Sequence, residues 1–320
     1  MSENISEIQN SKSKSIDENK KVKARKKNQY WRNNWVLYLM LMPTLIYFVI
    51  FHVWPILGMR LAFQDYRIIG PNEWVGLKHF RMLFGSPAFM SVLKNTVIIS
   101  MMKLVLLMPV PVVLSLMLNE LRAGRFRKYV QSVIYLPHFL SWVVIAGVWI
   151  SLLSFDGAVN NILEFFHFPA IDFMTSKGHI RWVLLFSEMW RSAGWDSIIY
   201  IAALMKISPR LYEAARIDGA TRLQQMRYIT IPELVPTIIT VFILNLGFFM
   251  SAGFDQVFNL MNDSVISVID ILDTYVYRIG LVGGQYSFSI AASLFKGIIG
   301  VVLIFSTHYA AKKISGKGLW

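Results

Sequence analysis

Apolar and polar positions along this chain do not alternate residue by residue; they fall into long apolar blocks separated by short stretches that collect Lys, Arg, Asp, Asn and Gly. A hydrocarbon core of about 30 Å is crossed by roughly 20 helical residues. On that ruler the pattern predicts six spans, at about 35–62, 92–118, 130–153, 182–205, 235–254 and 289–311. The expected fold class is all-α, a polytopic membrane protein with six transmembrane helices. The first span starts too far from Met1, and runs too long, for a cleavable signal peptide, so it is expected to remain as an anchor. Between the last two spans, residues 254–288 hold Gly280, Gly283, Gly284 and an apolar patch at 265–272. That pattern predicts a short re-entrant or interfacial segment, tolerated at membrane depth only where protein or water covers it.

Composition agrees with lipid as the solvent: 55% of residues are hydrophobic, 16% are charged, and mean hydropathy is +0.48. The net charge of +13 raises the question of nucleic acid, but nine basic residues lie in the first 34 positions and most others flank apolar runs. That is the distribution of a topology signal, so no nucleic acid is expected. Lys and Arg number nine, four, five and three in segments 1–34, 119–129, 206–234 and 312–320, against three, two and one in 63–91, 154–181 and 255–288. Both termini are therefore expected in the cytoplasm. Residues 1–34 offer no apolar face and are expected to form a disordered basic tail. Its cluster of Lys20, Lys21, Lys23, Arg25, Lys26 and Lys27 serves either as a topology determinant alone or also as a contact for anionic membrane lipids. Tyr30, Trp31 and Trp35 fit an interfacial belt.

Catalytic signatures are sparse. Cysteine is absent, which excludes disulfides and thiolate metal sites. The six histidines form no HExxH or close metal-ligand pair, and no metal is expected. No GxxxxGK[ST] loop occurs, and Gly316-Lys317-Gly318 lacks the rest of that motif. The chain is expected to hold no cofactor and to hydrolyse no ATP alone.

One polar island carries more information. In LYEAARIDGATRLQQMRYITIPELVP, residues 211–236, the positions read EAA-x3-GA-x8-I-x-IP-x3-P. Residues 209–219 predict one short helix with Ser208 as cap and Pro209 in the first turn. Gly219 permits a sharp turn, 221–229 predicts a second helix, and Pro232 and Pro236 mark its end and the start of the fifth span. Small residues at Ala214, Ala215 and Ala220 allow close approach to a partner surface, while Glu213 and Asp218 offer charge to a basic one. Glu213 and Arg216 could also simply pair along the helix.

This island resembles the coupling segment of binding-protein-dependent ABC importer permeases, and its place in a cytoplasmic loop between two spans fits that role. Met226 stands where an aromatic is common in that family and Ile231 where Leu is common. The runs YLPHFLSWVV (135–144), MWRSAGWDSIIYIAAL (189–204), FDQVFNLMN (254–262) and DTYVYRIGL (273–281) extend the resemblance to oligosaccharide-uptake permeases of the LplB kind, over roughly residues 35–320. The resemblance implies a type I ABC importer transmembrane-domain fold over 35–320, with a coupling loop at 208–233. It assigns Glu213, Ala214, Ala215, Asp218, Gly219, Ala220, Met226, Ile229 and Pro232 to ATPase coupling. It further implies a second related permease subunit forming a heterodimer, and two copies of a cytoplasmic ABC ATPase that bind ATP and Mg. An extracellular or periplasmic solute-binding protein would deliver a carbohydrate, and the bacterial plasma membrane would be the location.

Polar side chains inside spans are costly and mark a pathway by default. Arg191 and Asn245 fall near mid-membrane, with Trp190, Trp195, Phe248 and Phe249 at comparable depth. Aromatic faces take sugar C–H surfaces, and amides or charges take hydroxyls. The expectation is that Arg191, Asn245 and these aromatics line one cavity, with Asp255 and Gln256 meeting substrate just beyond the fifth span. Spacing equally allows Glu188 to pair with Arg191, Asn245 to bond a neighbouring helix, and Asp255 and Gln256 to cap helix ends. Arg60 and Lys94 are placed to snorkel. Lys103 and Lys296 lie deeper, suited to pairing, a subunit interface or pore lining. A secondary transporter or channel for a polar solute, and a polytopic enzyme, are the rival classes.

Overall fold

A computed structural model describes residues 33–121 and 124–315. The basic tail with its lysine cluster, Tyr30 and Trp31, and the Gly316-Lys317-Gly318 stretch lie outside the described residues. The described part is helical apart from a small hairpin and connecting turns. The chain falls into two compact units, Met1–Arg60 and Leu61–Trp320.

Helix α1, Asn33–Phe63, supplies the described part of the first unit. Its backbone loosens to a π-type turn at Val49–Val53, where Phe48 stacks on His52 with centroids 5.0 Å apart.

The second unit opens with a two-stranded hairpin, β1 (Gln64–Asp65) and β2 (Glu73–Trp74), paired antiparallel with Gln64 opposite Trp74. Lys78, at the start of α2 (Lys78–Gly85), donates to Asp65 at 2.7 Å and so holds that carboxyl below its ordinary pKa. Helix α3, Pro87–Glu120, starts at Ser86, whose hydroxyl accepts from the Phe89 amide, with Pro87 in the first turn. It carries a π-type segment at Lys103–Leu107.

The expected third span, 130–153, is broken. An amphipathic helix α4, Arg125–Tyr135, ends in a 3-10 turn at Leu136–Phe139, and a new helix α5, Trp142–Leu153, begins after it. Pro137 cannot donate to a helical ladder, and Ser141 adopts an extended backbone and accepts from the Val144 amide, which starts the chain afresh. A short helix α6, Ala158–Phe165, continues the apolar stretch, so the segment long and apolar enough to cross a membrane is Trp142–Phe165.

Helix α7, Ile180–Leu204, is unbroken for 25 residues and corresponds to the fourth expected span. Arg181, Glu188, Arg191 and Asp196 dilute its apolar character, so among the described residues five helices, not six, qualify as spans by both length and composition. By length alone α7 reaches about 37 Å, enough to cross.

After the short helix α8, Pro209–Ile217, helix α9 runs without interruption from Arg222 to Gly247. Pro232 and Pro236 therefore do not separate a second loop helix from the fifth span. Pro232 occupies a first-turn position after a π-type turn at Met226–Thr230, and Pro236 sits inside the helix that continues to Gly247. The span ends at Gly247, seven residues before its expected limit. Residues 254–288 fold into short helices α10 (Phe254–Leu260), α11 (Ile266–Ile269) and α12 (Leu272–Val276) before the last span, α13 (Tyr286–Ser315).

The core lies at the end of the bundle where α7 begins. Ile99, Ala146, Leu153, Ile180, Val183 and Leu184 pack there with Val257, Leu260, Val265, Ile269 and Ile271 of the short helices, so the apolar patch at 265–272 is covered by protein. Polar bonds fix it in place: Arg181 donates to Asn95 Oδ1 at 2.8 Å and to the Val268 carbonyl at 3.1 Å, and Asn95 donates to the Ser267 carbonyl. Elsewhere α3 packs on α7, and α9 on α13.

Helix α7 meets α4 backbone to backbone at Gly194. A Cβ there would stand 2.3 Å from the Ile134 carbonyl oxygen, a contact no side chain survives. Gly194→Ala is expected to destabilise the bundle by about 1–3 kcal/mol through forced separation of the two helices, and Gly194→Val by more. A lowered unfolding midpoint in detergent, graded with side-chain size, is the measurement that checks it.

Candidate functional site

Two features stand out: a bent helix pair between α7 and the body of α9, and a cavity between α3, α7 and α9. In the first, α8 is built from good helix formers after Pro209. Ser208 takes the extended cap conformation, but its side chain makes no capping bond, contrary to expectation. The C-terminal end is better determined. Gly219 has φ +79°, Ala220 donates its amide to the Ala215 carbonyl at 2.8 Å, and Gly219 donates to Arg216 at 3.1 Å. This pair of bonds around a left-handed glycine closes the helix and reverses the chain.

Immediately afterwards Thr221 and Gln224 form a capping box: the Gln224 amide donates to Thr221 Oγ1, and the Thr221 amide to Gln224 Oε1 at 2.7 Å. The T-x-x-Q spelling of residues 221–224 carries this signature in the sequence. Gln225 Nε2 donates to the Ala220 carbonyl, Tyr212 and Thr230 share a 3.0 Å hydroxyl bond, and Arg222 pairs with Glu120 of α3 at 3.3 Å. The bend is thus hydrogen-bonded on both sides and forms an elbow.

Glu213, Ala214, Asp218, Gly219 and Pro232 are exposed, and Ala215, Ala220, Met226 and Ile229 are half-buried. No ion pair joins Glu213 to Arg216 among the described residues. Two apolar side chains that sequence reasoning did not single out, Ile217 and Leu223, flank Gly219 at 87% and 74% exposure. Water gains nothing from such knobs, and a partner surface does.

The cavity has a volume of about 720 Å³, within the range of small-molecule sites. Its wall includes Lys103 from α3, Glu188, Trp195 and Asp196 from α7, Asn245 from α9, and Phe248 and Phe249 from the turn that follows. Asn245 and three of the aromatics expected along a pathway therefore share one space. Arg191 does not share it. Its guanidinium lies 3.5 Å from the His138 carbonyl and 5.1 Å over the Trp142 ring, on another side of α7. Trp190 also lies outside the lining and packs edge-on to Trp149. Trp195 stacks on His138 at 4.5 Å, which holds its ring against the wall.

Glu188 does not pair with Arg191. It accepts from Lys103 at 3.1 Å and from Ser192 at 2.8 Å. Lys103 spends its other donors on Gln256 Oε1 at 2.5 Å and the Ala252 carbonyl at 2.7 Å. Gln256, fully buried, donates in turn to the Leu184 carbonyl and Ser187 Oγ. It neither meets the cavity nor caps a helix; it locks α10 to α7. Asp255 is exposed in the first turn of α10, away from the lining. Lys296 is likewise paired, with Asp273 at 2.5 Å.

Comparison with known proteins adds three findings. The family described as "Binding-protein-dependent transport system inner membrane component" matches residues 108–316. The polygalacturonan/rhamnogalacturonan transport system permease protein YteP of Bacillus subtilis (strain 168) is 43% identical over 289 residues, 89% of this chain and 90% of the relative. Protein LplB of the same organism is 38% identical, over 90% of this chain and 92% of its own length. Among solved structures, a chain of a bacterial ABC transporter involved in import of the acidic polysaccharide alginate superposes with a TM-score of 0.84 at 37% identity, covering 90% of this chain and 98% of that one. A chain of the alginate transporter in complex with its alginate pentasaccharide-bound periplasmic protein matches equally, at 0.84 and 37%.

The Lys103–Glu188 pair is largely removed from solvent, so deleting one member strands the other. Lys103→Met alone is expected to cost about 3–5 kcal/mol, and Lys103→Met with Glu188→Gln measurably less, the remainder being the Gln256 and Ala252 acceptors that both variants leave unpaired. Denaturation of the single and double variants in one detergent would test this, and equal losses would refute the coupling.

Proposed function

The chain belongs to the family of binding-protein-dependent transport system inner membrane components, and we propose that it carries oligosaccharides across the membrane, driven through the elbow at Gly219. It is a permease subunit of an ABC importer, with ATP hydrolysis assigned to a separate subunit. Membership in that family removes the secondary-transporter and enzyme readings. The oligosaccharide substrate is drawn from relatives whose names specify polygalacturonan, rhamnogalacturonan and arabinooligosaccharides, and from an alginate importer of the same fold.

In this reading a second related permease completes the pathway, and two ATPase copies bind ATP and Mg beneath the pair. A binding protein supplies sugar from the opposite face, and both termini lie in the cytoplasm, as the Lys and Arg distribution favours. The observation that carries the coupling role is the elbow itself: a left-handed glycine between two capped helices, with Glu213, Ala214, Ile217 and Leu223 exposed around it. A flexible linker would absorb an ATPase stroke. A hydrogen-bonded bend continuous with α9 passes it directly into the helix that supplies Asn245 to the cavity wall.

Arg191 keeps a positioning place in this scheme, holding the 3-10 turn at His138 against α7, and Asn245, Trp195, Phe248 and Phe249 form the pathway wall. Replacement of Gly219 by Val forces a β-branched residue into the left-handed region. The expected outcome is a complex that still inserts, retains its ATPase in mild detergent and hydrolyses ATP, with oligosaccharide uptake reduced about tenfold or more. Normal uptake per ATP in that variant would overturn the elbow's role, and absence of any co-purifying ATPase from the wild type would overturn the importer assignment.

A further inference from the structure

The charged groups on the cavity wall do not balance. Among the lining residues there is one cation, Lys103, and there are two carboxylates, Glu188 and Asp196. Lys103 is engaged with Glu188, Gln256 and the Ala252 carbonyl, which uses its three donors. Glu188 is occupied on both oxygens, by Lys103 and Ser192. Asp196 is different: it is exposed to the cavity, and no hydrogen bond or ion pair reaches it among the described residues. The nearest free-looking cation along the helix, Arg191, lies five positions back, about 140° round the axis, and is held at His138 and Trp142.

An acid at membrane depth with no hydrogen-bond donor and no cation in ion-pair contact, Arg191 acting on it only from a distance, marks a ligand contact. Its surroundings say which kind. Trp195 is adjacent in sequence, and Phe248, Phe249 and Asn245 close the same space, so rings for sugar C–H faces stand beside an acceptor for sugar hydroxyls. An ionised carboxylate only accepts. It bonds hydroxyl groups well and opposes a second carboxylate strongly in a low dielectric.

We propose that Asp196 is a specificity-determining residue of the translocation cavity, accepting sugar hydroxyls and repelling sugar carboxylates, so that this chain's wall faces the uncharged edge of the oligosaccharide. Any carboxylates of an acidic substrate then turn towards the wall supplied by the second subunit. This assignment rests on the importer reading above.

The test compares two probes with one skeleton, tetragalacturonate and its fully methyl-esterified form, in proteoliposomes holding the complete transporter with its binding protein. Delivery by the binding protein is common to all variants, so its own preference cancels when uptake ratios are compared. Asp196→Asn is expected to raise the acid-to-ester uptake ratio about tenfold, the factor set by 1.4 kcal/mol, and Asp196→Glu to leave it near the wild-type value. Asp196→Ser serves as a second neutral variant should the Asn protein fail to assemble. An unmoved ratio in a neutral variant that still couples ATP to transport overturns the role of Asp196 alone. Transport of neither probe by the wild type overturns the importer reading and, with it, this assignment.

Discussion

A charge in hydrocarbon must find a partner, and the arrangement of this bundle follows from how one lysine does so. Lys103 sits on a π-type turn of α3, and its ammonium reaches a carboxylate of α7, the buried amide of Gln256 on α10, and the Ala252 carbonyl. Three parts of the chain are thereby held at one point, and the carboxylate and the ammonium are both satisfied. The π-type turn has a consequence of its own. Widening the helix by one residue re-aims the side chains that follow, and Lys103, at the start of that turn, lines the cavity. The cavity exists because α3, α7 and the turn after Gly247 are fixed at their polar crossing and leave the space beside it unfilled.

Local signals were legible and distant partnerships were not. The bend is legible from EAA and Gly219 because the bonds that close it and cap the next helix join residues no more than five positions apart, whereas its ties from Tyr212 to Thr230 and from Arg222 to Glu120 reach farther and are not. The first, second and last spans follow from hydropathy alone. The third did not, because Pro137 and Ser141 are ordinary residues in an apolar run, and only their joint effect on the backbone breaks the helix. The fifth differs from its expected bounds for a related reason: proline reads as a stop, whereas here Pro232 stands in a first-turn position, Pro236 lies inside the helix, and the helix runs through both. Glu188 and Arg191, three residues apart, offered an obvious pair, yet the partner chosen lies 85 positions away. Depth along a helix can be counted from sequence, but rotation about its axis cannot. That is why equal depth correctly joins Asn245 to Trp195 but does not reveal that Arg191 turns to His138 and Trp142.

The short helices after Gly247 show how backbone irregularity is tolerated here. Turns at 248–253 and 261–265 interrupt the ladder, but Arg181, Asn95 and Thr96 reach across from α7 and α3 to bond their neighbourhood, including the Val268 and Ser267 carbonyls and the Leu272 amide. Thr274 and Arg278 both bond Asp270, which is buried and has its pKa raised by desolvation. The apolar residues between these polar stitches form one of two buried hydrophobic clusters among the described residues. This end of the bundle is accordingly the rigid one.

Rigidity at one end and an exposed elbow at the other give α9 a particular mechanical position. It begins in the capping box at Thr221, which is tied to Glu120 of α3 through Arg222, and ends beside the cavity at Asn245 and Gly247. In the proposed coupling, a displacement applied at Gly219 meets bonded amides in the elbow and a packed, polar-stitched core at the far end. It must appear between them, as a change in how α9 stands against α3 and α7. Those are the helices that line the cavity, so under that proposal the cavity wall is the compliant element through which motion at the elbow is expressed.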